Sequence, residues 1–341
     1  MAQYNRDLMT ALALSPVVGE ITILPRVAPA QAVSPTKVRQ LSPAAGRARW
    51  SARALALSAR RQFDLVFCGH LKAIPVAAAI ARLQRKPLWM QVHGVEAWQS
   101  PGLVHRRALA RAELVTSVSR HTRRKFLTWS DVAPHRARVL PNTFRSTYAP
   151  RAVRRDLAAR HGLDGRQVIL TVGRLSSQER YKGHDRLIEA LPEILARAPN
   201  TTYLIVGSGD DSDRLAQLAR EKNVADHVVF AGYVPDADIP DYFALADVFA
   251  MPSTGEGFGI VFLEAAASGL PVIAGDRDGS VDALADGAIG RLIDPGSREQ
   301  IVGAVLDALS GGVERDRGAV SRFAFDNFSS QVDELVRNFV R

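Results

Sequence analysis

Short apolar runs alternate with longer helical patterns along most of the 341 residues. Phe63–Cys68 is a continuous apolar run behind an aspartate and predicts a buried strand. Ile74–Leu83 predicts a helix, Pro87–Val92 a strand, Arg106–Ala112 a helix and Leu114–Ser119 a strand. His121–Thr128 and Arg138–Pro141 continue the alternation as helix and strand. No hairpin signal interrupts it, so the pattern points to a parallel sheet covered on both faces. The alternation restarts after an Arg-rich stretch, with strands expected at Gln167–Val172, Thr202–Val206, His227–Ala231, Val248–Pro252 and Pro271–Ala274. Helices are expected at Gly183–Ala198, Asp211–Lys222, Ile239–Leu245, Gly259–Ser268 and Gln300–Leu309. The fold class is therefore α/β, with two doubly wound domains expected to face each other across a cleft. The first clear strand is Gly19–Leu24, and the residues before it, from Met1, read as a helix.

The boundary falls near Asn142–Ala149, and charge marks it independently. Residues 1–150 carry 23 Lys and Arg against 6 Asp and Glu, a balance of +17; the remaining 21 against 29 give −8, which sums to the +9 of the chain. The expected division is 1–146 and 147–341, the last helix being a candidate to pack back on the first domain. A basic half suits nucleic acid, an anionic membrane surface or a phosphorylated substrate; compositional bias toward arginine is the plain alternative. No recognition helix or stacking-aromatic motif accompanies the arginines, so no nucleic-acid partner is expected.

A hydrophobic fraction of 47% with 23% charged residues excludes a disordered or fibrous chain. The single cysteine, Cys68, excludes an internal disulfide framework and a multi-cysteine zinc site. The longest apolar run, around Pro75–Leu83, is about half of the roughly 18 residues needed to cross a bilayer. Without a basic segment leading into an apolar one at the N-terminus, a cytoplasmic location is expected.

Three glycine turns follow expected strands, at the edge where open α/β sheets bind ligands. Thr254–Ala265 (TGEGFGIVFLEA) sets Glu256 before Gly257-Phe258-Gly259 and Glu264 eight residues on. Glycines opening a helix leave free amides and the positive dipole end for a phosphate, and Glu264 on that helix suits a ribose diol. Gly173-Arg174 ends the first strand of the second half and Lys182 follows, a pair suited to a pyrophosphate. Gly207-Ser208-Gly209 is the third turn. In the first half His93 ends a strand and suits an acid–base or hydrogen-bonding role. The plain alternatives are a solvated glutamate on either side of a glycine turn, solvated cations, and a helix-capping histidine. No P-loop, GxGxxG after the first strand or HExxH motif occurs, so no metal is expected.

EGFGIVFLEAAASGLPVIA, with VGRL, ERYKGHD, VGSGDD, FAGYV and the VHG and LPN strand ends, resembles glycosyltransferase family 4, most strongly over residues 165–295. The resemblance implies the GT-B architecture of two Rossmann-like domains. It implies retaining, metal-independent transfer of a hexose, of mannose or glucose/galactose type, from a GDP- or UDP-linked sugar. That donor is a co-substrate, so no cofactor is expected. The implied acceptor is a glycan or lipid-linked molecule in surface polysaccharide or glycolipid synthesis, reached by peripheral attachment at the inner membrane face. Arg174 and Lys182 would hold the diphosphate, Glu256 with Gly257, Phe258 and Gly259 the sugar, and Glu264 the ribose. Gly173, Gly207 and Gly209 would line the donor, Val234 would lie beside the base, and His93 would face the anomeric centre. The family's glycine-rich loop after its first strand is missing from this sequence, AQYNRDL resembling the helix that follows it. The family's Gly-Gly-x-x-Glu reads Gly279-Ser280-Val281-Asp282. The alternative is a degenerate homologue acting as a partner or regulator.

Overall fold

The computed structural model describes residues 2–27, 35–312 and 317–339; Met1, where the first helix was expected to begin, lies outside them. The chain forms two compact units. One comprises residues 1–143 with 325–341, the other residues 144–324. The division thus falls three residues before the expected 146/147 boundary, and the C-terminal segment belongs to the first unit.

In chain order the first unit holds α1 (Ala2–Leu14), β1 (Ile21–Ile23), β2 (Val38–Gln40), α2 (Arg47–Arg60), β3 (Val66–Cys68) and α3 (Ile74–Gln84). β4 (Leu88–Val92), α4 (Leu103–Leu109), β5 (Leu114–Ser117), α5 (Arg120–Leu127) and β6 (Ala137–Val139) follow. β1 and β2 pair in parallel, and β3-β4-β5-β6 form a parallel sheet in sequence order. Every residue of β4 is buried, which explains why its apolar positions do not alternate: helices cover both faces. Where polar groups enter this core they are paired. Trp89 Nε1 donates to Thr116 Oγ1 (2.6 Å), Thr116 Oγ1 to Gln91 Oε1 (2.5 Å), and the Tyr4 hydroxyl also meets Gln91 Oε1 (3.2 Å).

The second unit holds α6 (Arg155–Arg160), β7 (Gln167–Val172), α7 (His184–Arg197), β8 (Thr201–Val206), α8 (Ser212–Glu221), β9 (Val228–Gly232) and α9 (Ile239–Ala244). β10 (Val248–Met251), α10 (Ile260–Ala267), β11 (Val272–Gly275), α11 (Ser280–Ala283), β12 (Arg291–Ile293), α12 (Arg298–Leu309) and α13 (Arg317–Ser321) complete it. Its six strands are all parallel, in the order β12-β11-β10-β7-β8-β9. Leu187, Ile188, Leu191 and Ile194 repeat on one face of α7 and pack with Ile169, Tyr203 and Ile205 into the main core.

The last helix, α14 (Phe325–Phe339), returns to the first unit and packs on α1. Phe328 meets the Tyr4 ring edge-on at 5.8 Å, and Ser15 Oγ donates to Asp333 Oδ1 (2.6 Å). Among the described residues no helix is long and apolar enough to cross a membrane.

Candidate functional site

The strand order of the second unit fixes where a ligand can sit. The chain lays down β7, β8 and β9 outward in one direction, then returns to the other side of β7 with β10. The loops leaving β7 and β10 flank this reversal, the place where open α/β sheets bind ligands beyond their strands' carboxyl ends. The predicted Gly173, Arg174 and Lys182 lie on the first loop and Glu256–Gly259 on the second.

The two loops meet through a backbone hydrogen bond, from the Thr254 amide to the Tyr181 carbonyl (2.8 Å), and an ion pair. Lys182 Nζ lies 2.6 Å from Glu256 Oε1, with the side chains 12% and 13% exposed. Lys182 ends a short 3-10 turn, Arg180–Lys182, that Gly183 closes with φ +81° before α7 begins. Its stem crosses Gly173, where a Cβ would stand 3.4 Å from Lys182 Cδ. Lys182 Nζ also lies 3.9 Å from Glu179 Oε2, and the other Glu179 oxygen accepts from Arg174. Arg174 itself is 79% exposed. Two cations and two carboxylates thus converge at the switch point, one cation sheltered and one in solvent.

The third glycine turn has a packing reason for its composition. A Cβ on Gly207, whose φ is +144°, would fall 1.8 Å from the Gly173 carbonyl oxygen, and one on Gly209 would fall 2.0 Å from that of Leu175. The ends of β7 and β8 can lie this close only without side chains there. Gly173 and Leu175 donate their amides to Val206 and Ser208, locking the two turns together.

On the second loop, Gly259 caps α10 with φ +81°. Phe258 turns inward, 2% exposed, its ring 5.9 Å from that of Phe323. Val234 is likewise buried, while its neighbour Tyr233 is 75% exposed. The side chains of Phe258 and Val234 are therefore core, and only their backbone groups face the loops. Glu264, half-buried on α10, accepts a hydrogen bond from the Tyr148 hydroxyl, whose pKa burial and then Glu264 raise.

The turn after β11 buries a carboxylate. Asp276-x-Asp278 after β11 reads as a solvated turn, and Asp276 is indeed exposed, but Asp278 is 2% exposed. Its Oδ2 accepts from the Glu256 amide (2.7 Å) and Ser253 Oγ (2.9 Å), and its Oδ1 from the Ser280 amide (2.9 Å). Glu179 and Tyr148 were missed too. Both sit in loops without periodicity, and only the fold brings them to Lys182 and Glu264.

In the first unit His93 follows β4. Its Nε2 lies 3.1 Å from the Gly69 carbonyl oxygen at the end of β3, so Nε2 carries the proton and donates. The ring meets Tyr4 edge-on at 5.2 Å, and the backbone amide donates to Glu96 Oε1 (2.6 Å). Burial pushes His93 down to about 3, so the ring is neutral at ordinary pH.

The cations of α4, α5 and the loop between them are only partly free. Arg106 pairs with Asp131 at 2.6 Å, and Arg123 donates to the carbonyls of Ala137 (2.6 Å) and Pro134 (2.8 Å). Arg107, Arg111, Arg124 and Lys125 are exposed.

A parallel six-stranded sheet with sheltered charges at its switch point defines a doubly wound α/β unit, joined here to a second parallel α/β unit. Comparison with known proteins places it more narrowly. Residues 153–320 match the family described as Glycosyl transferases group 1, and residues 21–145 match Glycosyltransferase Family 4. The GDP-mannose-dependent alpha-(1-6)-phosphatidylinositol monomannoside mannosyltransferase of Mycolicibacterium smegmatis is 34% identical over 267 residues, covering 74% of this chain and 69% of the relative. The structure of Anabaena HepE in complex with UDP and glucose has a TM-score of 0.72 at 24% identity, covering 88% of this chain and 85% of that one. Sucrose-phosphate synthase from Thermosynechococcus elongatus has a TM-score of 0.77 at 21% identity, covering 98% and 92%. The chain belongs to glycosyltransferase family 4 and has the GT-B fold.

Proposed function

We propose that this glycosyltransferase moves mannose from GDP-mannose to a phosphatidylinositol-type glycolipid, with retention of anomeric configuration and without a metal ion. The printed activity of the mycolicibacterial relative supports the donor and the acceptor class. The observation that carries the reading is the Lys182–Glu256 pair across the β7/β10 switch point. Lys182 and Arg174 take the two phosphates, the role a metal fills elsewhere, with Arg174 supplying a bidentate fork. As the bond from the anomeric carbon to the diphosphate lengthens, negative charge grows on the phosphate beside Lys182 and positive charge on the sugar beside Glu256. Both charges are stabilised by groups already in place. Glu264 holds the ribose. The departing phosphate takes the proton of the acceptor hydroxyl on the same face of the sugar, which gives retention.

The +17 balance of the first 150 residues supports a site of action at an anionic membrane face, where a lipid-linked acceptor resides. The test is transfer of labelled mannose from GDP-mannose to phosphatidylinositol mannoside in mixed vesicles, with the new linkage read by NMR. An α-linked product formed equally well in EDTA is expected. GDP-mannose binding with no transfer to any glycolipid would instead make the chain a binding homologue.

A further inference from the structure

We infer that Asp278 is a positioning residue for the reaction: a buried carboxylate that sets the backbone and hence the carboxylate of Glu256. The inference rests on Glu256 meeting the donor sugar. Asp278 pairs with no Lys or Arg side chain among the described residues, so its burial is compensated by hydrogen-bond donors alone. Such a carboxylate is retained only where hydrogen-bond donors compensate it. Three do: the Glu256 amide at 2.7 Å, Ser253 Oγ at 2.9 Å and the Ser280 amide at 2.9 Å. Ser253 Oγ also lies 3.1 Å from Ser280 Oγ, closing the ring.

The turn holds the Glu256 loop in both directions. Asp278 accepts from the Glu256 amide, while the Gly279 amide donates back to the Glu256 carbonyl at 2.9 Å. The approach is so close that a Cβ on Gly279 would stand 2.2 Å from the Gly257 carbonyl oxygen. Both peptide groups of Glu256 are therefore fixed by the β11–α11 turn, and its side chain is fixed by Lys182. The loop after β10 arrives at the donor already ordered, and Asp278 supplies the ordering.

Asp278→Asn keeps the shape but cannot accept on both sides, since its NH2 must face a donor. GDP and GDP-mannose are the probes, read by calorimetry and turnover beside Glu256→Gln. Expected for Asp278→Asn are kcat lower by about 10²-fold, GDP-mannose affinity weaker by about tenfold, and GDP affinity within about twofold of wild type. The double variant should be no slower than Glu256→Gln alone. Should Asp278→Asn not fold, Ser253→Ala removes one donor without placing an NH2 against another, and a smaller loss with the same split is expected.

Wild-type kcat in Asp278→Asn, while Glu256→Gln is impaired, would overturn the role of Asp278 and leave the donor reading standing. Equal losses of GDP and GDP-mannose affinity, or additive effects in the double variant, would reduce Asp278 to a structural residue. A Glu256→Gln enzyme with normal turnover would overturn both ideas.

Discussion

Lys182 Nζ and Glu256 Oε1 stand 2.6 Å apart, joining the two loops between which the strand order of the second unit reverses. Each side chain is about seven-eighths buried, so neither charge is well solvated and each depends on the other. Removing Lys182 with alanine should weaken GDP binding by about 1.5–3 kcal/mol, the range for hydrogen bonds to charged groups. The variant should also lower Tm, because Glu256 is left unpaired. Combining Lys182→Met with Glu256→Gln should restore Tm but not turnover. Calorimetry and thermal melts separate the two effects.

Arg174 should behave differently although the same diphosphate role is proposed for it. It is 79% exposed and paired with Glu179 in solvent, where screening weakens charge interactions. Arg174→Ala should therefore weaken GDP binding less than Lys182→Ala does, with a steeper dependence on salt. Titrations at low and high ionic strength check both. An Arg174 loss equal to that of Lys182 would mean that donor binding buries the guanidinium.

Much of this site was legible from residue order. Gln167–Val172 was placed to the residue, and the three glycine turns fall at strand ends because a parallel sheet puts its ligands there. What was not legible lacked a period. β12 is a three-residue edge strand with Arg291 exposed, and α2 buries only Ala54 and Ser58, so neither shows an apolar stripe. Asp278 looked like its exposed neighbour Asp276, since burial of one carboxylate in a turn leaves no mark in composition. Phe258 and Val234 matched a motif, but the motif's side chains pack inward.

Glu264 and Tyr148 give a test of the ribose contact. Glu264→Ala should weaken GDP binding, and Tyr148→Phe should do so to a smaller extent by releasing the Glu264 carboxylate. Both losses should vanish with 2′,3′-dideoxy-GDP, which has no diol to hold. Losses that persist with the dideoxy nucleotide would place Glu264 elsewhere.

Burial pushes His93 down to about 3 and His184 to about 4. Both stay neutral in the folded protein at pH 5, whereas in the unfolded chain both take a proton near the ordinary histidine value of about 6.5. The unfolded state therefore binds more protons in this window, and stability falls as pH drops from about 6.5 toward 4. Urea denaturation across that range should show the fall, and His184→Asn should reduce its slope by about one proton. His93 should add no limb to the activity profile between about pH 5 and 8.

Membrane attachment should depend on the exposed cations alone. Each of Arg107, Arg111, Arg124 and Lys125 contributes on the order of 1 kcal/mol near anionic lipid. Charge reversal at Arg124 and Lys125 should release the protein from anionic vesicles in sedimentation, as should high salt. Arg123→Glu should instead lower Tm, because Arg123 holds the Ala137 and Pro134 carbonyls. Binding that ignores lipid charge would leave the arginines as a solvated surface.

Calorimetric titration of GDP against GMP shows whether the β7/β10 switch point takes a diphosphate. GDP should bind at least about tenfold more tightly than GMP, and Lys182→Ala should narrow the difference. Equal affinity for GDP and GMP in the wild-type protein would contradict a diphosphate site there.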